Sequence, residues 1–117
     1  MNITTVTKHR LEIQASDLEE CIIDSFQDII NDYKREEVED LINQVKYFHE
    51  VLKDIRDKNW RKIFNDGFTM MCLDSDSREY VENFFVNKRN RAGMELEIVV
   101  LYPDGELVTV PERDIQF

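Results

Sequence analysis

Glycine, proline, cysteine and histidine are scarce in this sequence, and their scarcity excludes several kinds of site. The 117 residues include three glycines, two prolines, two cysteines and two histidines. The glycines lie far apart, so no glycine-rich loop is available to hold a phosphate. Neither histidine has a second histidine four residues away, and Cys21 and Cys72 form no Cys-x-x-Cys pair. We therefore expect no metal and no cofactor.

Long apolar runs are also missing. No run approaches the ~20 residues that span a bilayer, and the first residues lack the basic region and apolar run of a secretory signal. Cys21 and Cys72 lie in apolar stretches, with no cysteine or histidine nearby in the sequence. They are expected to be buried free thiols in a reducing compartment. These features predict a cytoplasmic protein that does not bind a membrane.

Basic residues are outnumbered by acidic ones, 15 to 25, which gives a formal net charge of −10. Residues 1–57 carry a net −7, residues 58–93 a net +2, and residues 94–117 a net −5. Such a chain is expected to repel nucleic acid and to approach basic protein surfaces. Acidity also keeps small proteins soluble, so the charge alone does not identify a partner.

Residues 35–64 contain no glycine or proline, and large apolar residues recur there at intervals of three and four. This spacing predicts an α-helix with one apolar stripe. The stripe consists of Val38, Leu41, Val45, Phe48, Leu52 and Ile55. We expect it to face the protein core. The alternative is a dimer seam, which is less favoured because the repeat lasts only about two and a half heptads and lacks flanking charged pairs.

Residues 16–33 predict an earlier helix, with a capping box formed by Ser16 and Glu19. Its apolar stripe does not continue in phase into the next one, which indicates a break near residues 34–37. The two helices are expected to form an antiparallel hairpin, with a single kinked helix as the alternative.

The remaining segments predict a third helix and a small sheet. Asp76 and Glu79 are expected to cap the third helix, which runs to about Asn90. Residues 3–14 have the alternation of a strand, and residues 94–102 and 107–110 flank a Pro-Asp-Gly turn. The predicted fold is α+β, in a single compact domain over residues 1–117. A helical hairpin and a third helix pack on an antiparallel sheet made of the N-terminal strand and the C-terminal β-hairpin.

An acidic row follows one side of the first helix. Between Glu12 and Asp32 there is no lysine or arginine, and acids recur every fourth residue. These are Glu20, Asp24, Asp28 and Asp32. Because like charges at this spacing destabilise a helix, the row is a candidate binding face for a basic partner protein.

Three other residues indicate a possible homo-oligomer interface. Tyr47 points away from the apolar stripe of its helix, and Val99 and Leu101 make the end of their strand apolar on both faces. A helix or a partner is expected to cover that part of the strand.

Two locally basic segments suggest an alternative function, binding of a nucleotide or single-stranded nucleic acid. Cations would contact phosphates and an aromatic ring would stack on a base. The residues are Lys58, Trp60, Arg61 and Lys62 in the first segment, and Lys88, Arg89 and Arg91 in the second.

One stretch resembles an enzyme motif. In residues 70–77, four apolar residues precede Asp74 and Asp76, which is similar to the first motif of haloacid-dehalogenase-type phosphotransferases. That family holds Mg²⁺ between two such carboxylates. Arg78 stands where the family has Thr or Val, and about forty residues follow. The pair is therefore interpreted as a helix cap, and we predict no catalytic residues and no enzyme activity.

The chain is similar in type to inhibitors that bacteriophages and mobile elements direct at host enzymes, because it is short, acidic and poor in motifs. The resemblance assigns no residue a role. It implies a non-enzymatic module that occupies a basic, nucleic-acid-handling surface of another protein.

Overall fold

The first strand runs directly into the first helix. A computed structural model describes residues 5–87 and 89–116, in which β1 spans Thr7–Gln14 and α1 spans Ala15–Asp32. The start of the strand predicted at residues 3 and 4 lies outside the described residues. The predicted Ser16–Glu19 capping box is wrong, because α1 begins at Ala15, which is buried, and no side chain caps it.

Two long helices form the predicted hairpin. A 3₁₀ turn at Arg35–Glu37 leads from α1 into α2, which spans Val38–Arg56. The rings of Phe26 in α1 and Phe48 in α2 lie 4.8 Å apart, a contact that requires α2 to return alongside α1. The hairpin is therefore confirmed, and the single kinked helix is excluded.

Three shorter helices follow the hairpin. They are α3 (Trp60–Phe64), α4 (Gly67–Met71) and α5 (Ser75–Val86). Asp74, rather than Asp76, caps α5, because its carboxylate accepts hydrogen bonds from the Ser77 amide and hydroxyl, both at 2.8 Å. The helix also ends four residues before the predicted Asn90.

The sheet is mixed. β2 (Met94–Leu101) lies between β1 and β3 (Leu107–Pro111). β3 pairs antiparallel to β2, as predicted, but β1 pairs parallel to β2, so the wholly antiparallel sheet is wrong. The five helices between β1 and β2 return the chain to the end where β1 begins, and a connection of that length permits parallel pairing. The α+β class is confirmed.

One face of the sheet carries the core. Its buried side chains are Ile13, Leu96, Ile98, Val100 and Val110, which pack against residues of all five helices. The helices contribute, among others, Ile22, Phe48, Ile55, Trp60, Phe64, Met70 and Val81. Within the described residues, no helix has the length and apolarity to cross a membrane.

The molecule is elongated. Its radius of gyration is 17.0 Å, whereas a compact domain of this length has about 13 Å. The principal extents are 68 × 32 × 21 Å. β1 and α1 are about 26 Å and 27 Å long, and no loop separates them. The single compact domain over residues 1–117 stays a prediction.

Candidate functional site

The outer part of the helical hairpin projects beyond the core. We call residues 23–45 the arm. Each of them is exposed or half-buried, whereas α1 has its buried residues before position 23 and α2 has its own after position 45. The arm therefore contributes no fully buried side chain to the fold.

The apolar stripe of α2 is covered over only half of its length. Phe48 and Ile55 are buried, Leu41 and Leu52 are half-buried, and Val38 is 56% exposed. The expectation that the whole stripe faces the core is wrong, because α3 and α4 pack beside the second half of α2 and not beside the arm. The first half of the stripe is available to another molecule.

Five arm residues form one exposed apolar surface, which we call the apolar arm face. Its members, Ile23, Ile30, Val38, Ile42 and Val45, are between 37% and 56% exposed. At 100° per residue, the two isoleucines of α1 share one flank of that helix, and the three α2 residues lie within about 60° of one another. On each helix the exposed flank lies roughly 100° further round, in the same sense, than the side that packs on the other helix. Because the helices are antiparallel, rotations in the same sense place both flanks on the same side of the hairpin.

The predicted acidic row lies mainly on the other side of the hairpin. Glu20, Asp24, Asp28 and Asp32 are all exposed. On the helical wheel, Asp28 and Asp32 are about half a turn from the isoleucines of the apolar arm face. Among the described residues, none of the four forms an ion pair. Their charges are therefore exposed and uncompensated at short range.

The arm concentrates negative charge. Residues 23–45 contain seven acidic and two basic side chains, a formal net of −5, which is half of the charge of the chain. The ion pairs of the described residues all lie outside the arm, in the sheet, the base of the hairpin and the segments near them. A projecting element with this charge produces a negative potential at the far end of the molecule.

The three predicted interface residues lie in different environments. Tyr47 is half-buried against Phe68, and its hydroxyl donates to the Asp66 carboxylate at 2.5 Å. Burial and Asp66 raise the pKa of Tyr47 above its usual value. Val99 lies on the sheet face opposite the core and is buried there, while Leu101 is half-buried beside it. An interface at these residues stays a prediction.

The residues of the first basic segment pack or pair with other parts of the fold. Trp60 is buried, and its indole N–H donates to the Tyr102 hydroxyl at 2.7 Å, so the ring offers no exposed face for base stacking. Lys58 pairs with Glu106 and lies over the Tyr102 ring. The two remaining cations, Arg61 and Lys62, lie 3.9 Å and 3.4 Å from the carboxylates of Asp114 and Asp54.

The residues of the second basic segment do not share one environment. Lys88 lies outside the described residues, and Arg89 is exposed. Arg91 is largely buried, pairs with Glu112 and lies with its guanidinium 4.6 Å from the centre of the Phe84 ring. Its charge is therefore already compensated, and within residues 5–87 and 89–116 no aromatic ring lies against the Arg89 guanidinium.

The two cysteines meet although 51 positions separate them in the sequence. The sequence did not indicate that they would lie close together. Both thiols are free and line a cavity of about 450 Å³ together with Glu12, Asp17 and Asp74. Burial, and then the Cys21 thiol, raise the pKa of Cys72 to about 12. Cys72 is therefore protonated at neutral pH, the less reactive form of a thiol.

Metal-ligating side chains do not converge in the described parts of the chain, where no three of His, Cys, Asp and Glu are placed to hold an ion. Comparison with family models, curated proteins and solved structures found no match to this chain. The arm is therefore the candidate site, because its charge and its exposed apolar side chains do not stabilise the fold.

Proposed function

We propose that this protein is a non-enzymatic binding module whose acidic arm occupies a basic surface of another protein. The observation that carries the proposal is that residues 23–45, none of which is fully buried, carry a formal net charge of −5. A surface that normally binds nucleic acid is the kind of basic site that such an arm complements.

The acidic row supports a role in binding because it costs the helix stability. Each like-charged pair at a spacing of four residues costs roughly a few tenths of a kcal/mol. The second helix carries Lys46, Lys53 and Arg56 among its own acids, so mixed charge is compatible with the hairpin. A row of uncompensated acids on α1 adds nothing to the fold, and it would gain favourable energy only against a basic partner.

Inhibition would follow from occupancy. An arm that fills a basic groove excludes the nucleic acid that the groove binds, without any chemical step. Inhibitors encoded by bacteriophages and mobile elements act in this general way, and this chain is similar to them in type. The partner is therefore sought among nucleic-acid-handling enzymes.

The test is a charge reversal with a matched control. A photo-crosslinking residue at Asn31, which lies among the acids of the row, identifies a partner in a cell lysate. Association of the purified partner is then measured by biolayer interferometry at low and high salt. The arm variant is Asp24→Lys with Asp28→Lys, and the control is Glu79→Lys with Glu82→Lys, which makes the same charge change on exposed residues of α5.

We expect the arm variant to lower the association rate at least tenfold at low salt and to flatten its salt dependence, because steering acts mainly on the on-rate. The control should lower it much less. The melting temperature of the arm variant should be unchanged or higher. Equal association rates for the arm variant and the wild type at low salt would mean that the row is only a solvated face. Direct binding of short DNA or RNA that is lost in Arg61→Glu with Arg89→Glu would support the alternative function instead.

A further inference from the structure

The acidic charge of the arm does not explain why the apolar side chains of the apolar arm face are exposed. We propose that it binds one amphipathic α-helix of the partner protein, and that this helix carries basic residues along one edge. The inference rests on the proposed function, because it takes the partner surface to be basic, and it names the element of the partner that contacts the arm.

The shape of the face suits a helix. Two antiparallel helices form a shallow groove along their common side, and a third helix can lie in it as in a helical bundle. From Ile23 to Ile30 and from Val38 to Val45 the face extends about 10 Å along each helix, which matches two turns of a docked helix. The five side chains expose roughly 400 Å² of apolar surface, within the range of the largest patches on monomers, which are often functional.

Charge complementarity favours a basic helix of a partner over a second copy of this chain. A second copy of this chain would place another arm of net −5 against the first, and like potentials oppose such an approach. A helix with basic residues is attracted to the same surface. The edges of the face are also unequal, because Asp24 follows Ile23 on the α1 side, whereas the α2 side carries both Glu39, which follows Val38, and Lys46, which follows Val45. The basic edge of the docked helix should therefore lie over α1, and its other edge should carry no strong charge of either sign.

The probe is a fluorescein-labelled 20-residue peptide designed as a helix, with leucines on one face, lysines along one edge and glutamines elsewhere. A second peptide replaces every lysine by glutamate, and a third has the composition of the first in scrambled order. Fluorescence anisotropy gives the dissociation constant of each peptide with the intact chain. Binding of the first peptide should be at least tenfold tighter than that of the other two.

Two charge-neutral variants locate the site. Ile42→Gln with Val45→Gln alters the apolar arm face, whereas Val86→Gln with Leu107→Gln alters two exposed apolar residues elsewhere. The first should weaken binding of the lysine peptide at least tenfold, and the second should leave it unchanged. Since all four side chains are exposed, neither change should affect folding, and circular dichroism checks this.

The inference is overturned if the wild-type chain does not bind the lysine peptide at 1 mM, if the scrambled peptide binds equally well, or if the variant Ile42→Gln with Val45→Gln binds the lysine peptide as the wild type does. It is also overturned if light scattering shows a dimer of this chain that Ile42→Gln with Val45→Gln dissociates, because the occupant is then a second copy.

Failure of the proposed function can be distinguished from failure of this inference. That failure would appear as an unchanged on-rate after reversal of Asp24 and Asp28, whereas partner binding that depends on those acids but not on Ile42 and Val45 would overturn only this inference.

Discussion

Phe48 and Val45 lie about one turn apart on the same stripe of α2, and the boundary of the core passes between them. Phe48 is 2% exposed, and its ring lies 4.8 Å from Phe26 and 5.2 Å from Phe68. Val45 is 44% exposed. On α2 the apolar side chains before this boundary, Val38, Ile42 and Val45, are largely exposed, and this is why the arm is interpreted as a binding element.

The boundary predicts unequal costs of truncation. Phe48→Ala removes a buried ring and should lower the free energy of unfolding by about 3–5 kcal/mol. Val45→Ala removes a side chain that is largely solvated and should change it by less than about 0.5 kcal/mol, because alanine also favours the helix. Urea denaturation at two protein concentrations measures both. A cost above 1 kcal/mol for Val45→Ala, growing with concentration, would show that the arm is covered in solution by a second copy.

The sequence was sufficient to predict the two helices of the hairpin and α5, because the spacing of their apolar residues is a local property. It was not sufficient to predict where the stripe of α2 stops being buried, since that depends on Phe68 and its neighbours, which are distant in sequence. The parallel pairing of β1 was missed for a similar reason. Pairing depends on the path of five intervening helices, and the alternation within β1 is compatible with either direction.

The candidate site was predictable in part. The acidic row could be found because a spacing of four places charges along one side of a helix, and all four acids are exposed in the structure. The apolar arm face was hidden, because apolar residues at helical spacing are the ordinary sign of a core. Trp60 bears on the alternative function, which needs an exposed ring between lysine and arginine neighbours, whereas the ring is buried and its indole N–H donates to the Tyr102 hydroxyl.

Tyr102 should stabilise the fold through its hydroxyl. That hydroxyl accepts a hydrogen bond from the Trp60 indole at 2.7 Å and donates one to the Ile55 carbonyl at 2.6 Å. Tyr102→Phe leaves both partners without this bond and should cost about 1–3 kcal/mol in urea denaturation. Tyr80→Phe is the control, because Tyr80 is exposed, and it should cost less than about 0.5 kcal/mol. Equal effects of the two changes would contradict the assigned role.

The sequence predicted a helix cap at Asp74 and Asp76, and the structure assigns the cap of α5 to Asp74 alone. Asp74→Ala should destabilise the protein by about 1 kcal/mol, whereas Asp76→Ala should have little effect, because only Asp74 bonds Ser77. Hydrogen bonds from the Ser77 amide and hydroxyl hold the pKa of Asp74 below its usual 3.8. The difference between wild type and Asp74→Ala should therefore be constant above pH 5 and shrink as the pH falls below 4. A larger cost for Asp76→Ala would reverse the assignment.

Cys72 should make the protein less stable in alkaline solution. Burial, and then the Cys21 thiol, raise the pKa of Cys72 from 9.0 to about 12, so the folded state retains a proton that the unfolded state has lost in this interval. The contribution of the protonated Cys72 thiol to the free energy of unfolding is complete below pH 9. It declines as the pH rises towards 12, because the unfolded state binds fewer protons there. Urea denaturation between pH 8 and pH 10 should show a negative slope of stability against pH. Cys72→Ala should reduce that slope even if its absolute stability is lower. Met70→Leu, a change at a neighbouring buried side chain that does not titrate, should preserve it. An unchanged slope in Cys72→Ala would mean that the thiol is accessible to water, and rapid labelling by a disulfide reagent at pH 8 would then be expected.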